Sequence, residues 1–588
     1  MAPETDNPAA PKPPRLVWLA LNASHSHASL ALPRLHAACA RAGVAAEWLP
    51  IEATLAEAPG ELAARLAALE PDVLAATAWL FNLELLLKIV RRVKALRPAT
   101  VIILGGPEFL GDNGEFLQRE PAVNAVFRGE GEAGFPVWLA RWNRPEEWHG
   151  IPGLCFPPPM QSIEQKTLRH KEKDLLCASA PSVKSCSDNG LARLDAAALA
   201  AQPPVEDDPF FAWDKPFVPL ETARGCVNRC AFCTSAGDAP VRALAADAVG
   251  AALARFREHG VREVRVLDRT FNADPGRALE LLHQFRTEAP QIRFHLEIHP
   301  AFLTAALRTE LASWPPDRLH LEAGVQATDG NVLAASGRRG GADAAWDGLL
   351  FLCGLTNLEV HADLLAGLPG LTLPMLLDDL RRITLAGPAE IQLEILKLLP
   401  GTIMRGQAAE LGLIFAPDPP YEVLRTPRMS PEDLQTARRL SRVIDGWHNA
   451  AAWRGVVRAA ASEHPDFLPE FTGHLAARHV LGMPLGLERR GELLWEFARS
   501  RDWDEVADDV ATAWMTVGLP PGRCPSGSAR PWKDPAPENR RRTATVWRLD
   551  TRRDGPWFFA YDRGVAASRP IRIWREEPDG AGNHPGTE

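Results

Sequence analysis

Short apolar runs alternate with helical patterns over residues 15–144. The pattern predicts strands at 16–21, 46–51, 72–77, 101–104 and 123–127, and helices at 29–42, 61–69 and 83–96. In the last helix the apolar residues recur at helical spacing, and Pro98 follows its end. Strand–helix alternation is typical of a parallel sheet covered on both faces. We therefore predict a Rossmann-like parallel sheet as the N-terminal domain.

Polar and glycine-rich loops follow four of these strands. Ligands of such sheets bind at the carboxyl ends of the strands, so the loops form the candidate binding surface. The candidates are Asn22, Ser24, His25, His27, Trp79, Asn82, Gly105, Gly106, Gly129, Glu130, Gly131 and Glu132. A G-x-G-x-x-G fingerprint is lacking after the first strand, which disfavours a nicotinamide cofactor. A Rossmann-like domain that binds another ligand, or none, remains an alternative.

The pattern changes three times further along the chain. Residues 145–216 lack sustained periodicity and predict a linker, and Pro-rich residues 1–14 predict a disordered tail. Alternation returns over 217–404, with strands predicted at 218–222, 263–267, 294–298, 319–324, 359–364 and 390–397. Residues 405–588 predict a mainly helical C-terminal domain, with helices from Ser430, at 486–499 and at 503–516, and short strands at 544–549 and 556–561.

Composition narrows the class of protein. The chain has 588 residues, 46% of them hydrophobic, which is enough for several cored domains. The net charge of −9 argues against a nucleic-acid or anionic-membrane surface. The sequence contains no uninterrupted run of eighteen apolar residues, so we expect no membrane span. Nine cysteines across so long a chain do not make a disulfide framework, so we expect a soluble cytoplasmic protein.

Three of the cysteines are closely spaced. Cys226, Cys230 and Cys233 form a C-x3-C-x2-C motif. Three thiolates this close suit one soft metal centre, and on a cubane iron–sulfur cluster they would leave one iron open. The alternatives are a zinc site or three unrelated buried thiols. A zinc site would require a fourth Cys or His at similar spacing, and none follows nearby.

This motif, with Gly225 before it and Phe232 ahead of the third cysteine, resembles that of the radical S-adenosylmethionine superfamily. The Gly-Gly-Pro segment at 105–107 and the Gly-Glu-Gly-Glu segment at 129–132 resemble the cobalamin-binding domain of its cobalamin-dependent members. Over about residues 15–450 the layout is similar to a bacterial subgroup with an uncharacterised C-terminal domain. The resemblance implies a [4Fe-4S] cluster, S-adenosylmethionine and cobalamin as cofactors.

The resemblance also implies site roles. The six strands of 217–404 fit the partial (β/α)6 barrel of that family, which places its chemistry at the strand ends. Three cysteines would hold the cluster. The candidates for contacts to S-adenosylmethionine are Phe232, Asp268, Glu297, Gln326, Asp363 and Leu396. Carboxylates at strand ends also serve as helix caps or paired charges. Because the D-x-H-x-x-G signature is absent, neither His25 nor His27 is assigned as an axial cobalamin ligand.

The function implied is methylation of an unactivated carbon in a small molecule or a natural-product or lipid precursor. Electrons would come from a donor such as flavodoxin or ferredoxin. The alternatives are a radical cyclisation or rearrangement, a tRNA methylthiotransferase-like enzyme, and a non-catalytic cobalamin- or cluster-binding sensor. Methylthiotransferases carry three further cysteines in the first domain, whereas only Cys39 lies before residue 150 here.

Overall fold

A computed structural model of the chain describes residues 12–157, 187–236, 240–532, 544–553, 555–562 and 569–575. The chain forms two compact units. The first unit contains the residues up to 321, together with 334–341 and 396–427. The second unit contains 322–333, 342–395 and the residues from 428 onward. Most of the predicted tail at 1–14 lies outside the described residues.

The N-terminal sheet has seven strands in the order β2-β1-β3-β4-β5-β6-β7. Strands β1 to β5 pair in parallel, as the alternation predicted. The elements are β1 (Arg15–Asn22), α1 (Ala31–Arg41), β2 (Glu47–Thr54), α2 (Pro59–Ala68), β3 (Val73–Thr77), α3 (Leu83–Leu96), β4 (Val101–Gly105), α4 (Gly114–Arg119), β5 (Ala125–Phe127), α5 (Gly134–Leu139), β6 (Leu154–Phe156) and β7 (Ser187–Asp188).

Hydrophobic cores lie on both faces of this sheet. Alternate residues of β3 belong to two different clusters, with Leu74 in one and Val73 in the other. Helix α3 buries the apolar stripe that its spacing predicted, and Leu86, Ile89 and Val93 are fully buried. Each buried aliphatic side chain contributes about 1.5–3 kcal/mol relative to full exposure. The two-sided core explains why β3 and β4 read as continuous apolar runs.

Two strands lie in the segment that we predicted as a linker. Strand β6 pairs antiparallel with β5, and β7 pairs antiparallel with β6. Their three and two residues are too short for any periodicity to show in the sequence. Cys155 of β6 is fully buried. The N-terminal sheet therefore extends beyond residue 144, by antiparallel pairing.

A second strand–helix series follows, as predicted. Its strands β8 and β11 pair in parallel, as do β11 and β12, and β14 and β15. The sheet order is β15-β14-β13-β12-β11-β8, the six strands of a partial barrel. The elements are α6 (Ala196–Ala200), β8 (Val218–Leu220), β9 (Ala223–Arg224), β10 (Arg242–Ala243), α7 (Ala246–Glu258), β11 (Glu263–Val266), α8 (Pro275–Glu288), β12 (Arg293–Ile298), α9 (Ala305–Ala312), β13 (Leu319–Gln326), α10 (Gly330–Ala335), α11 (Ala342–Cys353), β14 (Glu359–Ala366), α12 (Leu373–Ala386), β15 (Glu390–Ile395), α13 (Ile403–Gly406), β16 (Ile414–Phe415) and β17 (Val423–Arg425).

The C-terminal part combines helices with a four-stranded antiparallel sheet of order β18-β19-β20-β21. Helix α14 begins with the predicted cap, a reciprocal capping box between Ser430 and Asp433. The elements are α14 (Pro431–Val443), α15 (Ala451–Glu463), α16 (Phe467–Ala477), α17 (Leu487–Ser500), α18 (Asp504–Thr516), β18 (Ala529–Trp532), β19 (Ala544–Thr551), β20 (Gly555–Asp562) and β21 (Arg572–Arg575). In the described ranges, no helix is both long and apolar enough to span a bilayer.

Tryptophans form the core of these helices. Trp453 and Trp514 are fully buried, with ring centroids 6.5 Å apart. Gly491 of α17 packs directly on this pair, since an added Cβ would lie 2.5 Å from the Trp453 ring. These two tryptophans are therefore core residues.

Candidate functional site

The cysteine loop follows the short strand β9. Cys226 and Cys230 are buried, and Cys233 is half-buried. The backbone N–H of Asn228 donates to Cys226 Sγ at 3.4 Å, and that of Ser235 donates to Cys233 Sγ at 3.4 Å. The sulfurs of Cys226 and Cys233 thus each accept a hydrogen bond from a local backbone N–H.

Asp268 anchors the chain immediately before this loop. Its Oδ1 accepts hydrogen bonds from the backbone N–H groups of Thr222 at 2.8 Å and Ala223 at 2.9 Å, and its Oδ2 accepts from the Thr222 hydroxyl at 2.5 Å. Burial raises the pKa of Asp268, whereas the bonds from Thr222 oppose that shift. Both carboxylate oxygens are engaged by the chain itself, so the side chain positions the cysteine loop.

A glycine-rich segment and a helix start pack on the same loop. The Ala231 N–H donates to Ser336 O at 2.8 Å, and its carbonyl accepts from the Met404 N–H at 2.8 Å. Gly337 has φ +71°, and a Cβ there would lie 2.5 Å from Arg229 O. Only glycine allows this close approach. The loop is therefore held on both sides.

The arrangement of the thiols can be compared with the needs of a metal centre. In the described part of the chain, no group of three or more His, Cys, Asp or Glu side chains could hold a single metal ion. Thiolates of a zinc site share one ion at about 2.3 Å, whereas those of a cubane cluster bind different irons and lie further apart. Burial raises the pKa of Cys230, the nearby Arg338 guanidinium opposes that shift, and Cys233 and Cys226 add to it. The three thiols are therefore close enough to interact electrostatically.

A cavity of about 320 Å³ lies at the carboxyl ends of β1, β3, β4 and β5. Seven of the residues predicted for cofactor binding line it: Trp79, Gly105, Gly106, Gly129, Glu130, Gly131 and Glu132. Its walls are largely apolar, with Leu35, Ile103 and Phe127 among them. A concave, mostly apolar site with a few charged groups is typical of a small-molecule or cofactor pocket.

Four predicted residues of the first loop lie outside the lining of this cavity. The Ser24 hydroxyl bonds His27 Nδ1 at 2.8 Å, and Asn22 Nδ2 donates to His27 O at 3.2 Å. Lys215 Nζ donates to His25 O at 2.8 Å. These polar groups stabilise the loop's own conformation, which sequence reasoning could not separate from ligand binding.

Asn82 also lies outside the lining. Its Nδ2 donates to Leu21 O at 2.9 Å and to Thr77 O at 3.1 Å, and its Oδ1 accepts from the Trp79 N–H at 2.8 Å. The side chain is fully buried. Asn82 therefore ties the ends of β1 and β3 together and holds the loop that carries Trp79.

Glycines let the loops approach each other at this edge of the sheet. Gly106 has φ +112°, and a Cβ there would lie 2.4 Å from Ala78 O. Gly129 has φ +93°, and a Cβ there would lie 2.3 Å from Ala192 O. Gly105 differs, because an added Cβ would meet only Phe127 at an ordinary 3.8 Å. The first two glycines are needed by the chain, and Gly105 leaves room on the cavity side.

Arg224 joins the cavity loops to the cysteine loop. It lies two residues before Cys226 and forms ion pairs with three glutamates. The distances are 2.6 Å from Nη2 to Glu132, 3.3 Å from Nη1 to Glu130 and 2.8 Å from Nε to Glu221. The side chain of Arg224 is 11% exposed, so these pairs are screened little by solvent.

Two further arginines extend this network. Arg34 pairs with Glu221 at 3.1 Å, and Arg242 pairs with Glu130 at 2.8 Å. Burial alone would raise the pKa of Glu132, but the Arg224 guanidinium outweighs it and holds that pKa below the usual range. The carboxylates of the Gly-Glu-Gly-Glu segment are therefore paired with arginines. Sequence reasoning missed Arg224, although its place beside Gly225 was a signal.

The remaining predicted residues lie on both units. In the first unit, Phe232 is half-buried in the cysteine loop, Glu297 lies 3.7 Å from Arg269 Nη1, and Leu396 is buried in the chain after β15. In the second unit, Gln326 ends β13 with φ +73°, and Asp363 Oδ1 lies 3.2 Å from His361 Nε2. The first three residues therefore belong to the unit that also holds Asp268 and the three cysteines, and the last two belong to the other unit.

Two regions of the chain match protein-family models. Residues 17–138 match the family model of a B12-binding domain, and residues 409–512 match a protein family of unknown function, DUF4080. The chain is 27% identical over 216 residues to 2-(S-pantetheinyl)-carbapenam-3-carboxylate methyltransferase of Streptantibioticus cattleyicolor. It is 26% identical over 218 residues to the cobalamin-dependent radical SAM methyltransferase TokK of Streptomyces tokunonensis. Each match covers 36% of this chain and 29% of the relative.

Solved structures match a larger share. The cobalamin-dependent S-adenosylmethionine radical enzyme OxsB aligns with a TM-score of 0.55 at 12% identity, over 86% of this chain and 78% of that one. The radical S-adenosylmethionine methyltransferase TsrM of Kitasatospora setae aligns with a TM-score of 0.50 at 15% identity, over 68% of this chain and 77% of that one. This chain has the fold of the cobalamin-dependent radical S-adenosylmethionine enzymes. Most residues that line the cavity lie within the stretch that matches the B12-binding domain, and Glu221, Arg224 and Leu267 line it from outside that stretch.

The ion pairs of Arg224 predict how one substitution changes the free energy of unfolding. Arg224→Gln leaves the buried Glu132 without its ion-pair partner, whereas Glu130 and Glu221 keep Arg242 and Arg34. We therefore expect a loss of about 3–5 kcal/mol in the free energy of unfolding at pH 7. The pKa of Glu132 lies below 4.5 in the folded protein. The stability that ionised Glu132 contributes to the folded protein is therefore present above pH 4.5. It is lost as the pH falls through the pKa of Glu132 in the folded protein. Urea unfolding at pH 7 and pH 4 measures the difference.

The matched control is Arg97→Gln. Arg97 forms an exposed ion pair with Glu70 at 3.1 Å, which we expect to contribute at most about 1 kcal/mol. Two results would contradict a buried network. One is an equal loss of unfolding free energy for the two variants, and the other is a difference between Arg224→Gln and wild type that is as large at pH 4 as at pH 7.

Proposed function

We propose that this chain is a cobalamin-dependent radical S-adenosylmethionine methyltransferase that methylates an unactivated carbon of a small molecule. One observation carries the proposal. The cysteine loop and the strand-end cavity belong to the same compact unit, and Arg224 pairs with glutamates of the cavity loops two residues before Cys226. Two cofactor sites that must cooperate are thereby connected by a short stretch of chain.

The chain's own residues would hold the cofactors. Cys226, Cys230 and Cys233 would ligate a [4Fe-4S] cluster and leave one iron open for S-adenosylmethionine. The cavity beside Gly105 would receive part of cobalamin, since glycine permits close approach of a large flat ring. When bound, the cluster supplies the electron that cleaves S-adenosylmethionine, and cobalamin supplies the methyl group.

The protein's task in this scheme is to orient and to exclude water. Trp79 and Phe81 stack with centroids 6.3 Å apart, and Trp79 lines the cavity as a rigid wall. Asp268 and Gly337 keep the cysteine loop in one conformation. A fixed, largely apolar site of this kind protects reactive species from solvent.

The nature of the partners follows from the same chemistry. We infer a small-molecule substrate, because the relatives named above are methyltransferases of small molecules or share the fold of such enzymes. A net charge of −9 gives no electrostatic attraction to nucleic acid. The cluster requires an electron donor such as flavodoxin or ferredoxin, and thiolate ligands favour the reducing cytoplasm.

Replacing one cluster cysteine tests the proposal. Anaerobically reconstituted wild-type protein should bind about four iron atoms per chain and form 5′-deoxyadenosine from S-adenosylmethionine under strong reductant. Cys230→Ala should lower 5′-deoxyadenosine formation at least a hundredfold, because the cluster loses a ligand. Iron analysis and chromatography of the nucleoside provide the two measurements.

Cys353→Ala is the matched control. Cys353 lies on helix α11, and burial raises its pKa to about 12, so it is an inert thiol. The control should retain the iron and the activity of wild type. Zinc in place of iron in the wild-type protein, or equal activity of Cys230→Ala, would overturn the proposal.

The cavity provides an independent test. Gly105→Phe should fill the space beside Phe127 and lower the amount of cobalamin retained after gel filtration at least tenfold. Gly105→Ala is the control, because its Cβ would make an ordinary 3.8 Å contact. We expect near-wild-type retention of cobalamin for the alanine variant, measured by corrin absorbance. Full retention of cobalamin by Gly105→Phe would place the cofactor elsewhere.

A further inference from the structure

The three cysteine sulfurs have unequal surroundings. In the described part of the chain, Cys226 Sγ and Cys233 Sγ contact neutral groups, namely backbone N–H donors and, for Cys226, the Thr270 hydroxyl at 3.2 Å. Cys230 is different, because the guanidinium of Arg338 donates to its Sγ, with Nη1 at 3.7 Å from the sulfur. A positive charge thus sits against one specific sulfur.

The fold holds Arg338 at this place. It lies in the segment 336–341, whose Ser336 carbonyl accepts from the Ala231 N–H at 2.8 Å. Gly337 and Gly340 flank it with φ +71° and +95°. The backbone N–H of Arg339 donates to Asn228 Oδ1 at 3.4 Å. Contacts before and after Arg338 therefore fix its backbone against the cysteine loop.

A charged donor beside a cluster ligand has a direct physical consequence. Reduction of an iron–sulfur cluster adds negative charge, which is shared by the cysteine sulfurs. Net charge, hydrogen bonds to the sulfurs and solvent exposure set the reduction potential. A guanidinium held against a buried sulfur favours the reduced state more strongly than a solvent-exposed charge does.

We propose that Arg338 is a tuning residue, which raises the reduction potential of the cluster through its contact with Cys230 and so eases electron entry from the donor. The inference rests on the proposed function, because it requires the cluster. It assigns to Arg338 a role that acts through Cys230, without contact to the substrate.

A redox titration of the reconstituted protein, followed by electron paramagnetic resonance without S-adenosylmethionine, tests this role. Arg338→Gln should lower the midpoint potential so that the reduction equilibrium shifts about tenfold, which is about 59 mV for one electron. Arg338→Lys keeps the charge and loses the planar fork, so its shift should have the same sign and be smaller. Iron content is measured first for every variant.

Arg339→Gln is the matched control. Arg339 is the next residue, its side chain is exposed, and the substitution removes the same positive charge. Its backbone bond to Asn228 is retained, and we expect the wild-type potential. A wild-type potential for Arg338→Gln, or an equal shift for Arg339→Gln, would overturn the inference. If Arg338→Gln does not take up iron, the potential of Arg338→Lys is the test. An unchanged midpoint potential for Arg338→Lys would then overturn the proposed role of the contact with Cys230. Wild-type protein that binds no iron would instead contradict the proposed function.

Discussion

The ion pairs of Arg224 are the interaction on which the rest of the site depends. One guanidinium, almost out of solvent, is shared by Glu130 and Glu132 of the cavity loop and by Glu221 next to the cysteine loop. Buried charges are costly to desolvate, so such a network contributes little net stability compared with an apolar core. What it provides is a defined geometry, because any displacement of either loop leaves a buried charge unpaired.

The cysteine loop owes its shape to contacts on several sides. Asp268 accepts hydrogen bonds from the backbone N–H groups of Thr222 and Ala223. The segment 336–341 accepts a hydrogen bond from the Ala231 N–H, and the Met404 N–H donates to the Ala231 carbonyl. Metal sites in proteins depend on such outer contacts to orient their ligands. A loop held in this way presents its thiols in one arrangement before any cofactor binds, which reduces the ordering cost of binding.

Much of this could be predicted from the sequence, and the remainder has physical reasons for being missed. Helix α3 and the longer parallel strands were predicted because buried elements of five or more residues leave a clear periodicity. The three-residue strands β5 and β8 fell inside predicted runs of five residues, 123–127 and 218–222. Strands β6 and β7 are too short to do so. The C-x3-C-x2-C spacing located the thiols, because ligands that are local in sequence are local in space.

Side-chain partners were harder to foresee. The GEGE glutamates were predicted to face a cofactor, but Glu132 pairs with Arg224, 92 residues later in the chain. Asn82 and the first-loop residues were chosen for their polarity, and Asn82 uses that polarity to close the sheet. Arg338 lies 108 residues from Cys230, so no sequence spacing indicated their contact. Long-range polar pairs depend on tertiary structure, which periodicity does not report.

The most direct test is a crystal structure of the reconstituted protein with anomalous scattering measured at the iron and cobalt absorption edges. The account predicts an iron peak within bonding distance of Cys226, Cys230 and Cys233, and a cobalt peak beside the cavity near Gly105. An iron peak absent from the three thiols, or a cobalt peak remote from the carboxyl ends of the N-terminal sheet, would contradict it.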